Sequence, residues 1–154
     1  MIPGLASRRR FSELSEQEVL ALAISSEEDD AQIYRLYAER LRADYPASAA
    51  VFEDMAAEED HHRQMLIDRH RARFGAVIPL IRREHVAGFY ARKPVWLAEN
   101  LSLDTIRGEA EAMEREAGKF YKLAAQRTSD ADTRKLLGDL AAAEMGHEDR
   151  KSVV

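Results

Sequence analysis

Two motifs of one form, a glutamate followed three positions later by a histidine, occur in the sequence as Glu59-x-x-His62 and Glu144-x-x-His147. On a helix, residues three apart lie on the same face, one turn apart. The carboxylate and the imidazole of each motif can therefore bind the same metal ion. A single motif of this kind is common on solvated helix faces, so it is the presence of two copies that indicates a metal site.

The two motifs belong to an internal repeat. Residues 54–62 align with residues 139–147, and each half carries a further glutamate that is followed seven positions later by a tyrosine. The separation between the two glutamates differs by only two residues between the halves. The repeat therefore predicts two helix hairpins, each with Glu, Tyr, Glu and His in this order. These residues are Glu27, Tyr34, Glu59 and His62 in the first half and Glu114, Tyr121, Glu144 and His147 in the second.

Together the halves offer four carboxylates and two imidazoles. This is the ligand set of ferritin-like di-iron and di-manganese proteins, in which each ion takes one His, one terminal Glu and shared bridging Glu. Four buried carboxylates would repel one another, and two divalent cations compensate their charge. Mixed carboxylate and imidazole ligands suit iron or manganese. We predict two iron ions, with Mn or Zn as substitutes, held by Glu27, Glu59, His62, Glu114, Glu144 and His147.

Four further side chains lie close to these ligands in the predicted helices. Tyr34 and Tyr121 are two turns beyond the first glutamate of each half, where they can hydrogen-bond the carboxylates or serve as ordinary core residues. Asp30 and Glu111 are one turn from the same glutamates. Each can serve as an extra ligand or as a carboxylate on the path by which ions reach the site. The other histidines, His61, His70 and His85, fit no ligand pattern and are expected at the surface.

Apolar residues of helical period predict four long helices that position these side chains. The first begins with a capping box formed by Ser15 and Glu18 and ends before Pro46. The second ends at Gly75, a typical C-terminal stop. The predicted boundaries are Ser15 to the residues before Asp44, Ala47 to Phe74, Ser102 to Arg127, and Ser129 or Asp130 onward.

The stretch between the second and third helices, residues 75–101, is rich in apolar residues and contains Pro79 and Pro94. It is too apolar for a free linker, so we predict a long crossover packed along the bundle, with a short helix inside it. One long crossover between two helix hairpins is the ferritin-like topology. The predicted fold is therefore all-α, a ferritin-like four-helix bundle over residues 12–154 preceded by an N-terminal arm over residues 1–11.

Composition excludes several other classes of protein. The chain has 154 residues, which suits one domain, and a net charge of −5, which makes nucleic acid a poor partner. It has no cysteine, and this excludes disulfides, thiolate zinc sites and iron–sulfur clusters. The N-terminus does not read as a signal peptide, and no run reaches the ~18 apolar residues of a membrane span. We therefore expect a soluble, cytoplasmic chain.

The order of Glu, Tyr and Glu-x-x-His in both halves resembles rubrerythrin-type ferritin-like domains. Longer segments resemble one branch more closely, the N-terminal domain of bacterial membrane-bound ferritin. That family joins an erythrin domain to a membrane domain similar to vacuolar iron transporters. The segments are FSELSEQEVLALAISSEE at 11–28, YPASA at 45–49, IPLIRRE at 78–84 and RKPVW at 92–96.

The resemblance implies a domain that binds and oxidises ferrous iron with O2 or H2O2 and supplies iron to a covalently attached membrane transporter domain. It also implies the same six ligands, protection from excess iron and peroxide, and a location in the cytoplasm tethered to the inner membrane. We expect this sequence to be an excised fragment, because only seven residues follow His147, and we expect it to form a homodimer.

Two features differ from rubrerythrin itself. Where rubrerythrin has an additional carboxylate on its third helix, this chain has Ala117, and it lacks the cysteines of the electron-transfer module. Peroxidase cycling is therefore disfavoured relative to ferroxidase activity. Two alternatives stay open: a non-catalytic module that senses or donates iron to the transporter domain, and a dimerisation bundle in which metal only stabilises the core.

Overall fold

The computed structural model describes residues 8–88 and 102–151, and in the last helix it describes side chains up to residue 146. Four long helices dominate, which confirms the predicted all-α four-helix bundle. No helix of this described part is long and apolar enough to cross a membrane. The helices are α1 Glu16–Leu41, α2 Pro46–Phe74, α3 Leu103–Gln126 and α4 Ala131–Lys151.

The helix ends follow from local capping chemistry. The Ser15 hydroxyl accepts a hydrogen bond from the Glu18 amide, and the Glu18 carboxylate accepts one from the Ser15 amide, so the predicted capping box is confirmed. The Asp130 carboxylate accepts from the Thr133 amide at 3.0 Å and caps α4. The α2 helix ends at Gly75, which has a φ of 96° that favours glycine.

The helices form two hairpins, α1 with α2 and α3 with α4, which pack against each other through α1 with α3 and α2 with α4. The core is divided into two apolar clusters. One contains Leu20, Leu66 and Leu137, and the other contains Tyr34 and Phe52. Along the chain, Glu27, Glu59 and Glu114 each lie between members of the two clusters, so a polar layer separates the two apolar parts of the core.

A short two-stranded parallel sheet attaches the N-terminus to the crossover. Strand β1, Arg9–Arg10, pairs with strand β2, Val86–Ala87. Phe11 follows β1 and is buried, with its ring 5.9 Å from that of Phe120. A 3-10 turn at Arg83–His85 precedes β2 within the crossover. Residues 89–101 of the predicted crossover lie outside the described part of the chain.

His70 is fully buried, so the prediction of a surface position for it was wrong. Its Nδ1 lies 2.9 Å from the Gly75 carbonyl oxygen, which can only accept, so Nδ1 carries the proton. Its Nε2 then accepts from the Gln17 amide at 3.4 Å. The imidazole thus joins the C-terminal end of α2 to Gln17 of α1 by two hydrogen bonds. His61 and His85 are exposed, as predicted.

Candidate metal centre

Three carboxylates and one imidazole converge in the polar layer. Ligand atoms of Glu27, Glu59, His62 and Glu144 all lie within 4.8 Å of one another. The Nδ1 atom of His62 is 3.9 Å from Glu27 Oε1, 4.0 Å from Glu59 Oε2 and 3.7 Å from Glu144 Oε1. All four side chains are buried, at 6% exposure or less. Oxygen and nitrogen donors in this arrangement could hold a divalent cation.

Three helices bring these groups together. Glu59 and His62 are one turn apart on α2 and face the same way. Glu27 approaches from α1 and Glu144 from α4. One turn before Glu59 is Ala56, which is buried, and one turn before Glu144 is Ala141, which is also buried. These methyl groups occupy little space, so the helices can lie close enough for the glutamate carboxylates of the three helices to approach one another.

Burial places the acidic groups in an unfavourable environment for negative charge. Burial, together with the charge of Glu144, raises the pKa of Glu27 to about 7. Burial and the neighbouring charges of Glu27 and Glu144 raise the pKa of Glu59 well above its usual range. Burial lowers the pKa of His62, but the nearby carboxylates of Glu144 and Glu27 outweigh it, so the pKa of this histidine is raised. The cluster therefore retains protons that a divalent cation could replace.

The donor set fits a metal ion. The Oε2 atom of Glu27 is buried and accepts no hydrogen bond from the described residues. A buried carboxylate oxygen normally finds a partner, because leaving it without one costs free energy. A cation bound among the four side chains would supply that partner and would also compensate the charge of the three carboxylates.

Two buried tyrosines contact this layer. The Tyr121 hydroxyl donates a hydrogen bond to Glu27 Oε1, so a residue of α3 holds a carboxylate of α1. The contact therefore joins the two halves of the repeat, rather than a tyrosine and the glutamate of its own helix. Tyr34 is 1% exposed, and burial together with the charges of Asp30, Glu59 and Glu144 raises its pKa well above 10. Both phenols are neutral and can donate hydrogen bonds to carboxylates.

The second half of the predicted ligand set is only partly described. Glu114 is buried, at 2% exposure, and its charge acts on the Tyr34 hydroxyl from α3. It is not among the four residues whose ligand atoms lie within 4.8 Å of one another. His147 belongs to α4, but its side chain lies outside the described part of the chain. The structure thus brings together four of the six predicted ligands.

The structure does not bring the two additional candidates, Asp30 and Glu111, into the cluster. Asp30 is buried and forms an ion pair with Arg83, whose Nη1 atom is 3.0 Å from Asp30 Oδ1. Glu111 is half-buried on α3.

Sequence reasoning did not identify Arg83, because its role depends on the crossover folding back over α1. The signal available was a pair of arginines, Arg82 and Arg83, directly after the apolar residues 77–81.

Comparison with known proteins places the chain in a family. A hypothetical protein from Pyrococcus furiosus has a similar structure, with a TM-score of 0.73, and the match covers 99% of this chain and 93% of that one. The two sequences are 21% identical, so this likeness concerns the fold. No curated protein matches the sequence. The sequence pattern of the rubrerythrin family matches residues 18–152, and the chain therefore belongs to the rubrerythrin family.

Proposed function

We propose that this chain binds two iron ions inside the bundle and oxidises ferrous iron. The observation that carries the proposal is the buried cluster of Glu27, Glu59, His62 and Glu144, whose ligand atoms lie within 4.8 Å of one another. Membership of the rubrerythrin family supports a di-iron ferritin-like domain. Glu114, which is buried on α3, and His147, which follows Glu144 by one turn, complete the proposed ligand set.

The chemistry proposed at this site is a two-electron reaction. Two ferrous ions that become ferric release two electrons, which together with two protons convert dioxygen to hydrogen peroxide, or hydrogen peroxide to two molecules of water. The protein residues supply the binding site and the charge balance. Glu27 and Glu59 release their protons when cations bind, because a nearby positive charge favours the ionised carboxylate. The Tyr121 hydroxyl keeps the Glu27 carboxylate in place.

We further propose that this chain is the cytoplasmic domain of a membrane-bound ferritin. In that protein a covalently attached transporter domain in the inner membrane would use the iron that this domain collects. Support comes from the similarity of the segments at 11–28, 45–49, 78–84 and 92–96 to that family. The proposal includes a homodimer and a role in removing excess iron.

The competing function is a non-catalytic module that binds iron and donates it to the transporter domain. Stopped-flow spectroscopy separates the two functions. Anaerobic protein loaded with two equivalents of ferrous iron is mixed with dissolved dioxygen or with hydrogen peroxide, and formation of ferric iron is followed by absorbance. Ferroxidase activity predicts oxidation much faster than that of ferrous iron in buffer. Tight binding with oxidation no faster than in buffer would favour the donor module.

A matched pair of variants makes the same experiment specific for the site. Glu59→Gln replaces a buried ligand candidate, whereas Glu58→Gln replaces the adjacent, half-buried glutamate. We expect Glu59→Gln to lose most of the fast oxidation and Glu58→Gln to retain it. If Glu59→Gln oxidised iron as fast as the parent chain, the proposed function would be refuted.

A further inference from the structure

A cavity of about 340 Å³ lies on the side of the bundle formed by α1 and α3. Its inner wall includes Glu27 and Tyr121, which are both buried, and these are the carboxylate of the candidate metal centre and the phenol that hydrogen-bonds it. Its rim includes Glu116, Lys119 and Leu123, which are exposed. The cavity therefore extends from solvent to one candidate ligand of the metal centre.

Much of the remaining wall is apolar. It includes Phe11 and Phe120, which pack edge to face, together with Ala87 and Ala117. The apolar part of this wall favours a small uncharged guest over a hydrated ion.

Among the described residues, the charged side chains of the wall balance one another, apart from Glu27. Asp30 is paired with Arg83 at 3.0 Å, and both are buried. At the rim, Glu116 and Lys119 carry opposite charges. A path that conducts ferrous iron would be expected to carry an excess of negative charge along its length. The balance of charge, together with the apolar wall, instead suits a neutral molecule.

We infer that this cavity binds dioxygen and delivers it to the metal centre at Glu27. The link to oxidation rests on the proposed ferroxidase function, whereas the binding of dioxygen by the cavity does not. Ala117 lies within the wall, between the exposed Glu116 and the buried Tyr121 one turn further along α3. A large side chain at this position would narrow the path without altering a candidate ligand.

The first test uses metal-free protein in a chelator, with its alanine and leucine methyl groups labelled with 13C. Dissolved dioxygen is paramagnetic, so it accelerates nuclear relaxation of methyl groups in proportion to its local concentration. Ala125 is the matched reference, because it is also a half-buried alanine of α3 packed against the same apolar cluster but does not line the cavity. We expect dioxygen, relative to nitrogen, to accelerate relaxation several-fold more at the Ala117 methyl than at the Ala125 methyl.

The second test compares Ala117→Phe with Ala125→Phe. We expect Ala117→Phe to lower the dioxygen-induced relaxation at the methyl group of Ala87, a half-buried residue of the cavity wall, several-fold and to slow the reaction of ferrous protein with dioxygen by a similar factor. The affinity for cobalt(II) should match that of the parent chain, because no candidate ligand has changed. Ala125→Phe should retain both the relaxation and the rate. Circular dichroism verifies that each variant is folded.

Equal acceleration at Ala117 and Ala125 in the metal-free parent would overturn the inference, whatever the iron chemistry. Relaxation that is accelerated more at Ala117 than at Ala125, together with equal rates of reaction with dioxygen in Ala117→Phe and Ala125→Phe, would show that dioxygen enters the cavity but does not reach the metal centre through it. A decrease in rate with hydrogen peroxide but not with dioxygen would overturn the assignment of the guest. If the parent chain bound dioxygen at Ala117 but did not oxidise iron, the proposed ferroxidase function would be refuted. The inference that the cavity binds dioxygen would not be affected.

Discussion

Raising the pH is predicted to destabilise the metal-free protein, opposite to the usual effect of paired carboxylates. The cause is Glu27, whose pKa is about 7 in the folded chain against an ordinary value of 4.5. Between these two values the folded protein keeps a proton that the unfolded chain has released. The stabilising contribution is therefore complete below pH 4.5 and is lost as the pH rises through 7.

The magnitude follows from the two pKa values. The full difference corresponds to about 3 kcal/mol, of which about 2 kcal/mol is lost between pH 5.5 and pH 8. The raised pKa values of Glu59 and His62 act in the same direction, because in each case the folded protein keeps a proton that the unfolded chain has released. Glu18, whose pKa is lowered to about 2 by its ion pair with Arg9, is ionised in both states above pH 5.5 and adds no dependence in this range.

The assay is urea unfolding followed by circular dichroism, at several pH values from 5.5 to 8 and with a chelator present. We expect the free energy of unfolding of the parent to fall by about 2 kcal/mol or more over this range. Glu27→Gln cannot ionise, so its free energy of unfolding should fall by about 2 kcal/mol less than that of the parent. The adjacent, exposed Glu28 provides the control variant Glu28→Gln, which should behave like the parent. The same dependence on pH in the parent and in Glu27→Gln would refute the reasoning.

Three further predictions concern the site and its surroundings. Affinity for cobalt(II), measured by absorbance titration, should increase as the pH rises through about 7, because the proton on Glu27 competes with the cation; a flat profile would contradict this. Tyr121→Phe removes the hydrogen bond to Glu27 and should lower that affinity about 10- to 100-fold, whereas an unchanged affinity would show that the bond does not position the ligand. Arg83→Met removes the buried cation beside Asp30 and should destabilise the chain by about 3 kcal/mol in urea, whereas Arg82→Met, which alters a more exposed pair with Asp29, should cost less than about 1 kcal/mol. Equal losses in the two arginine variants would contradict the last prediction.

Local features of the sequence were sufficient to predict the helices. The capping box at Ser15 and the stop at Gly75 act within a few residues of the chain, so their effect can be read without knowledge of the fold. The repeat also allowed Glu27, Glu59, His62 and Glu144 to be proposed as neighbours, because helices that pack as two similar hairpins bring equivalent faces together. The two-residue strands at Arg9 and Val86 were too short to produce a periodic signal.

Contacts between distant segments were not predictable in this way. The bond from Tyr121 to Glu27 joins α3 to α1, and the pair of Asp30 with Arg83 joins α1 to the crossover. Both depend on how the two hairpins and the crossover pack, which the periodicity of a single helix does not specify. His70 shows the same limit, because the Gln17 amide reaches its imidazole only when α1 packs against α2.

The central claim, that the polar layer of this bundle holds two iron ions, is tested most directly by anomalous diffraction. Crystals of the chain loaded anaerobically with ferrous iron are measured on both sides of the iron absorption edge. The proposed site predicts two anomalous peaks per chain inside the bundle, in contact with Glu27, Glu59, His62 and Glu144. A single peak, or peaks only on the surface of the bundle, would contradict the di-iron centre.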